Sequence, residues 1–355
     1  MTSSFIESSA LCLPRDATGY SSPRCGAYFL CCNGSVATIA SVALHPILFP
    51  IDQPVMPETR QIGRGASIDA LQAALTSAAH QWLIGERRIG KTSVAKAALS
   101  RLRSESAIAL DIDLSNIRIS TADHLADEIA AQAQAAGAGD PKHSSRQLAS
   151  FGRRHRREAK ALTAVLETLG FNDEAEAVDT VASVLAGAAE SKPGLGAVLE
   201  ALSIHARVSG QRVFLLLDEV HLLAELDGSE ETVAQACHQA DGPIVFVLAG
   251  SEESAARELR EPGRPLAAVG QEFHLPAIAP EDWLQGLRQR FAEGAIEIAD
   301  RELEAIIAAS DCHPRRTMLI ASKTQTQVLA MPHETAGPEL VDLAISDARK
   351  DRAWR

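Results

Sequence analysis

The sequence predicts an α/β fold with a parallel β-sheet sandwiched by helices and a small helical lid towards the C-terminal end. An apolar run at 81–84, a glycine-bearing loop and a helical pattern at 93–102 follow one another directly. A second apolar run at 107–114 and a second helical pattern at 120–137 come next. This β-α-β-α order requires a parallel sheet. Ala-rich stretches and an aromatic content of only 4% indicate that helices dominate the fold.

The loop after the first strand has the spacing of a phosphate-binding loop. It reads G-E-R-R-I-G-K-T, which fits the pattern G-x-x-x-x-G-K-[ST]. Gly85 and Gly90 allow successive backbone N–H groups to point into one concavity, which holds an anion. Lys91 places a positive charge on the β- and γ-phosphates, and the Thr92 hydroxyl ligates Mg²⁺. The residues predicted to bind a nucleoside triphosphate here are Gly85, Glu86, Arg87, Arg88, Ile89, Gly90, Lys91, Thr92 and Ser93.

A third apolar run ends in two adjacent carboxylates. Residues 213–217 read V-F-L-L-L and are followed by Asp218 and Glu219. A buried strand with carboxylate side chains at its C-terminal end is the Walker B pattern. We predict that Asp218 holds Mg²⁺ through water and that Glu219 polarises the attacking water. The alternative, that the carboxylates only cap the next turn, fits poorly beside a phosphate loop.

Two further residues are candidates for sensing the nucleotide. Ser251 follows an apolar run at 243–249, where its hydroxyl can bond the γ-phosphate or the catalytic water. The equal alternative is that Ser251 caps the helix that begins at Glu252. Arg264 lies in the loop E-P-G-R-P-L, where an arginine finger can sit if subunits assemble. A structural salt bridge is at least as good an interpretation of Arg264.

Residues 277–355 are predicted to form a helical lid and a C-terminal helix. Pro280 suits the first position of a helix, and Pro314 opens another. Arg315 and Arg316 follow Pro314 directly, at a helix N-terminus from which either arginine could reach back to the nucleotide phosphates; Arg315 is the one included in the predicted nucleotide site. A cation-rich surface is the alternative interpretation of both arginines.

Composition excludes several classes of protein. The chain has 355 residues, 46% of them hydrophobic, and a net charge of −12, so it has no global attraction to nucleic acid or to an anionic membrane. Four of the six cysteines precede residue 33, and only Cys237 and Cys312 lie in the main body. This distribution excludes a disulfide framework there and fits a reducing compartment. We therefore expect a cytoplasmic protein.

Residues 1–57 differ from the rest of the chain. Their apolar stretch at 27–51 is long enough to suggest a membrane-spanning segment, but Asn33, Pro46 and Pro50 argue against stable insertion. We expect either a disordered extension or a translation start placed too early, with Met56 as the alternative start.

The predicted core, residues 58–276, contains a helical insertion at about 138–193. The insertion holds a basic run that could contact nucleic acid phosphates. A solvated helix start or a surface for a protein partner is favoured over nucleic acid, because no aromatic residues are interleaved for base stacking. The basic run consists of Arg153, Arg154, Arg156 and Arg157.

The assembled motifs resemble those of archaeal-type AAA+-like ATPases, close to the STAND signal-transduction NTPases. The resemblance covers about residues 60–330. It is carried by Gly63-Arg64, G-E-R-R-I-G-K-T-S, V-F-L-L-L-D-E, V-L-A-G-S, G-R-P-L, R-Q-R-F and C-H-P-R. It implies a P-loop core with strand order 5-1-4-3-2, a helical lid, ATP with Mg²⁺, and often nucleotide-controlled self-assembly. One departure concerns the lid, since Cys312-His313-Pro314 stands where family lids usually carry Gly-His-Pro.

These features together predict a Mg²⁺-dependent ATPase that works as a conformational switch and is regulated by assembly or by a protein partner. Lys91, Glu219 and Ser251 are the predicted catalytic residues, while Thr92 and Asp218 are the predicted metal ligands. Two alternatives are a DNA-associated ATPase of the replication or transposition type and a nucleotide-binding adaptor that does not hydrolyse. The negative net charge argues against the first. The intact pair of carboxylates argues against the second.

Overall fold

The chain divides into two units, Met1–Pro46 and Ile47–Arg355. In the first, the strands Phe29–Cys32 (β1) and Ser35–Thr38 (β2) form an antiparallel hairpin within the predicted extension. Residues 48–51, which also lie within the predicted extension, belong to the second unit. The computed structural model describes residues 29–32, 35–38, 48–51, 61–105, 107–138, 176, 177, 180, 194–239, 242–251, 257–331 and 335–354.

A five-stranded parallel sheet forms the centre of the second unit. Its strands are Gln81–Gly85 (β3), Ile108–Asp113 (β4), Val213–Asp218 (β5), Ile244–Ser251 (β6) and Gln271–His274 (β7). They lie side by side in the order β4-β5-β6-β3-β7. If these five strands are numbered 1 to 5 along the chain, the order is 2-3-4-1-5, which is the predicted order 5-1-4-3-2 read from the other edge. The α/β prediction and the strand order are therefore confirmed.

Helices cover both faces of this sheet. Strand β5 is buried throughout because successive side chains point to opposite faces and both faces are covered. The helices are Gly65–Thr76 (α1), Lys91–Ser104 (α2), Ala122–Ala135 (α3), Leu195–Ser209 (α4) and Ser229–His238 (α5). Phe214 and Leu216 pack with α1 and α2, whereas Leu215 and Leu217 pack with α3, α4 and α5.

Most of the predicted insertion at 138–193 lies outside the described residues. This includes the basic run at 153–157, so the two interpretations of its arginines stay open. No helix in the described part of the chain is long and apolar enough to cross a bilayer.

The lid has its own hydrophobic core, separate from the clusters on the two sheet faces. Three of its helices begin with proline, whose fixed φ suits the first helical position. Leu48 and Phe49, from the segment before the core, are also buried in this lid cluster. The lid helices are Pro280–Glu293 (α6), Asp300–Ala309 (α7), Pro314–Ala330 (α8) and Pro338–Lys350 (α9).

A partly buried histidine, His80, joins the start of β3 to α5 and β6. His80 accepts a hydrogen bond at Nδ1 from the backbone N–H of Phe246 (3.1 Å), and its Nε2 donates to the carbonyl of Cys237 (3.1 Å). Both bonds require the neutral ring with its proton on Nε2. Burial lowers the pKa of His80, the Cys237 hydrogen bond raises it, and nearby His238 lowers it further.

We expect His80 to make stability depend on pH. Because its folded pKa is lowered, its contribution is present above the unfolded pKa of about 6.5 and is lost as pH falls from that value through the lowered folded pKa. As pH decreases, the free energy of unfolding should therefore fall less steeply for His80→Gln than for the unmutated chain. Urea denaturation between about pH 7 and 5 measures this. Equal slopes for the two proteins would contradict it.

Candidate functional site

The loop between β3 and α2 has the backbone geometry that an anion nest requires. Strand β3 ends at Gly85, and α2 begins at Lys91. Gly90 has φ 100° and Arg88 has φ 65°, so two residues of the loop adopt the left-handed region. A side chain at Gly85 would place its Cβ 3.2 Å from Ile89 Cγ2. The glycines therefore allow the tight curl that turns backbone N–H groups inwards.

Lys91 is held against the backbone of this loop. Its Nζ donates to the carbonyl oxygens of Gly85 (2.9 Å) and Glu86 (2.8 Å), and the residue is only 9% exposed. A buried ammonium at the N-terminal end of α2 adds its charge to the positive end of the helix dipole. The loop therefore combines backbone donors, a cation and a helix N-terminus, which is what binds phosphate groups.

The first turn of α2 is tied to the end of β5. The hydroxyl of Thr92 donates to Oδ2 of Asp218 at 2.5 Å. Burial raises the pKa of Asp218, the Thr92 hydrogen bond lowers it, and the neighbouring Glu219 carboxylate raises it. A hydroxyl and a carboxylate in contact beside a phosphate loop fit Mg²⁺, which is bound by one or two carboxylates together with substrate phosphates.

Glu219 differs from its neighbour in exposure and in backbone conformation. Its φ is 52°, which is uncommon for a residue other than glycine, and its side chain is 49% exposed whereas that of Asp218 is buried. Its backbone N–H donates to Oδ1 of Asp218 (3.0 Å), and Oε2 lies 3.4 Å from Nδ1 of His221. One carboxylate is therefore anchored at the loop, while the other remains accessible to solvent.

The sheet order places the end of β6 between the phosphate loop and the carboxylates. Ser251 is the last residue of β6 and pairs in register with Gly85. Its side chain lies outside what the structure describes, so its roles as sensor and as helix cap both stay predictions.

Arg64 is a buried cation that the motifs alone did not assign to a role. It is 3% exposed and donates from Nη2 to the carbonyl of Ile89 (2.6 Å) and from Nη1 to that of Pro276 (2.5 Å). Burial lowers its pKa to about 10, so it remains charged at neutral pH. Arg64 therefore links the phosphate loop to the segment that leads into the lid.

The lid reaches the phosphate loop through His313. Its Nε2 donates to the carbonyl of Arg87 at 3.2 Å, and His313 borders a cleft of about 260 Å³ together with Gly85 and His274. Burial lowers the pKa of His313, while the hydrogen bond to Arg87 raises it and Arg316 lowers it. His313 belongs to the C-H-P-R motif, but its partner on the loop is not visible in the sequence.

A second, mostly apolar cavity lies beside Gly90. Four parts of the chain line it: the segment before α1, the phosphate loop, the start of α2 and the lid. Gln61 is fixed in its wall because Nε2 donates to the carbonyl of Ser93 at 2.8 Å. The lining residues are Gln61, Ile62, Arg64, Ile89, Gly90, Ser93, Ile278, Trp283, Arg290, Pro314 and Met318.

Arg264 takes part in an ion pair. Its Nη2 lies 2.6 Å from Oε2 of Glu230, a buried residue in the first turn of α5. Burial raises the pKa of Glu230, and the nearby Arg264 lowers it. Within this chain the structure thus shows the salt bridge that was one of the two interpretations, whereas a role as an arginine finger remains a prediction.

The two lid arginines contact the C-terminal end of the chain. Arg315 donates from Nε to the carbonyl of Ala353 (2.8 Å) and from Nη1 to that of Ile51 (3.3 Å). Arg316 lies over the ring of Trp354, with Cζ 5.3 Å from its centroid. The contact of Arg315 with nucleotide phosphates therefore remains a prediction.

Known proteins are similar to this chain in structure but not in sequence. No protein-family model matches the sequence, and no curated protein matches it either. A Walker-type ATPase of Pyrococcus abyssi is similar in structure, with a TM-score of 0.57 and 17% identity over 85% of this chain and 75% of that one. The ORC2 protein of Aeropyrum pernix in its ADP form has a TM-score of 0.53 and 17% identity over 84% of this chain and 71% of that one.

The chain has the fold of the AAA+ P-loop ATPases. At 17% identity the likeness extends to the fold alone. The roles of individual residues rest on the contacts described above.

The position where this lid departs from the family motif is conformationally unusual. Cys312 has φ 56° and Asp311 has φ 53°, both in the left-handed region that glycine tolerates best. The backbone thus accounts for a glycine at this position in related lids. Burial raises the pKa of the Cys312 thiol, and the carboxylates of Asp311 and Glu281 raise it further, so the thiol is not activated.

We expect Cys312→Gly to be tolerated and Cys312→Val to be harmful. Glycine relieves the left-handed backbone at the cost of a small side chain, so the free energy of unfolding should change by less than about 1 kcal/mol. A β-branched side chain is poorly accommodated at positive φ, and Cys312→Val should lower that free energy by about 1–2 kcal/mol. Urea denaturation of both variants tests this, and equal stability of the two would contradict it.

Proposed function

We propose that this protein binds ATP with Mg²⁺ and hydrolyses it. The observation that carries the proposal is the 2.5 Å hydrogen bond between Thr92 and Asp218 beside the curled phosphate loop. It brings together a hydroxyl and a carboxylate from two separate motifs in the arrangement that a nucleotide-bound Mg²⁺ uses. The AAA+ fold supports the proposal, as do the ADP and ADPNP complexes for which the Aeropyrum pernix protein is named.

In this proposal each part of the site has one task. The loop amides and Lys91 bind the β- and γ-phosphates, and Thr92 with Asp218 holds Mg²⁺. The half-exposed carboxylate of Glu219 orients the attacking water, for which it needs solvent access that Asp218 lacks. The apolar cavity beside Gly90 takes the adenine base, since Ile62, Ile89 and the lid can cover its faces.

Regulation by assembly or by a protein partner forms part of the same proposal. Arg264 is engaged by Glu230, and the described contacts of Arg315 lead to Ala353 and Ile51. A cation supplied by a second subunit would complete the site in the manner of an arginine finger. The protein would then act as a switch whose turnover is slow as an isolated subunit.

Replacing Glu219 should separate binding from hydrolysis. Glu219→Gln retains the shape of the side chain and removes its ability to accept a proton, so we expect phosphate release to fall on the order of 100-fold or more. ATP binding should persist, because the phosphate loop is untouched. Single-turnover release and calorimetric binding measure the two quantities. Hydrolysis at the original rate would remove Glu219 from the mechanism.

Replacing Lys91 tests the site as a whole and its dependence on assembly. We expect phosphate release per subunit to rise with protein concentration in the unmutated chain and to vanish in Lys91→Ala, which lacks the charge that faces the phosphates. Release that is independent of concentration would contradict regulation by self-assembly. Thermal stabilisation by ATP without any release would instead indicate a nucleotide-binding adaptor.

A further inference from the structure

A short segment before the core is built into the lid. Leu48 is 5% exposed and Phe49 is 1% exposed, and both belong to the hydrophobic cluster of the lid. The ring of Phe49 lies 4.8 Å from that of Phe291 on α6, centroid to centroid. Gly294 leaves room for Leu48, because a Cβ at Gly294 would lie 2.4 Å from Leu48 Cδ1. The lid core is therefore incomplete without residues 48 and 49.

The segment also holds a buried arginine of the lid. Arg290 on α6 is 6% exposed, and its Nη1 donates to the carbonyl of Leu48 at 3.0 Å. Its guanidinium lies over the Phe49 ring, with Cζ 5.9 Å from the centroid, and within 3.5 Å of the Met318 sulfur. Leu48, which lies 242 positions earlier in the chain, and its neighbour Phe49 thus help to position this cation.

Arg290 and Met318 line the apolar cavity beside Gly90. Gln61 and Ser93, from the segment before α1 and from the first turn of α2, line the same cavity. A base in the cavity would therefore contact both the start of α2 and the lid wall that Leu48 and Phe49 support.

We propose that segment 48–51 positions the lid wall of the base pocket through Arg290, so that nucleotide affinity depends on a segment that does not itself line the pocket. Phe49 and Leu48 are positioning residues in this arrangement. The carbonyl of Ile51, which accepts from Arg315, secures the other end of the segment to α8. This inference rests on the proposed binding of ATP.

The physical argument concerns what Arg290 does without the segment. A guanidinium in a buried site requires polar partners, and the Leu48 carbonyl supplies one while the Phe49 ring covers its face. If both are displaced, Arg290 loses an acceptor and the ring that covers its face, so its guanidinium can shift relative to the Met318 sulfur. The lid wall of the pocket then moves even though the phosphate loop is intact.

The first test compares two side-chain truncations in the lid core, each made in the whole chain. Phe49→Ala removes the segment's anchor, and Val341→Ala removes a buried side chain on α9, which does not line the cavity. Both should lower the melting temperature. Only Phe49→Ala should weaken binding of a non-hydrolysable ATP analogue with Mg²⁺, by about 10-fold or more, which corresponds to about 1.4 kcal/mol. Phe49→Leu should restore most of the affinity.

A second variant displaces the segment without emptying the core. Gly294 has φ −86°, which alanine adopts readily, but its new Cβ would collide with Leu48. Gly294→Ala should therefore weaken binding of the analogue as well, and it remains informative if Phe49→Ala fails to fold. Calorimetric titration provides the affinity in every case.

The outcomes distinguish this inference from the proposed function. If the unmutated chain binds no ATP analogue, the proposed function fails. If the unmutated chain binds and a folded Phe49→Ala or Gly294→Ala binds equally well, the positioning role is wrong and the segment is only part of the lid core. If Val341→Ala weakens binding as much as Phe49→Ala, general loss of lid stability explains the effect and the inference is overturned.

Discussion

The hydrogen bond from Thr92 to Asp218 is the constraint on which the site depends. It joins residues 126 positions apart, and β6 lies between the strands that lead to them. The bond can form only if the sheet keeps its order and if α2 starts immediately after the loop. The hydrophobic layers on both faces of the sheet provide that precision, because close-packed interiors permit little displacement of the strands they hold.

The lid is connected to the phosphate loop by polar contacts to backbone carbonyls. Arg64 reaches Ile89 and Pro276, and His313 reaches Arg87. Such contacts depend on the path of the loop backbone and not on the side chains of the loop. A change in the conformation of the loop backbone would therefore alter these hydrogen bonds directly, whichever residues occupy positions 86–89.

Much of this arrangement could be predicted from the sequence, because motifs and apolar runs are local patterns. The phosphate loop, the strand before it and the acidic end of β5 are each encoded within about ten residues. The strand order followed from family resemblance and is confirmed. The burial of Leu48 and Phe49 in the lid could not be predicted, since their stretch is interrupted by prolines and shows no period. The contact of Leu48 with Arg290 spans 242 residues, which no local pattern reveals.

The register of the sheet has a consequence for how the protein tolerates mutation. Asp113 lies opposite Asp218, and Gly85 lies opposite Ser251, so the strands of each of these two pairs end level with each other. A slip of one residue in β5 would exchange the faces of all its side chains. It would bring Leu217 to the position of Asp218 while conserving the number of paired strands. The register of the sheet thus fixes the relative positions of the site residues. A substitution in the core of the sheet can therefore abolish activity in a chain that is still folded.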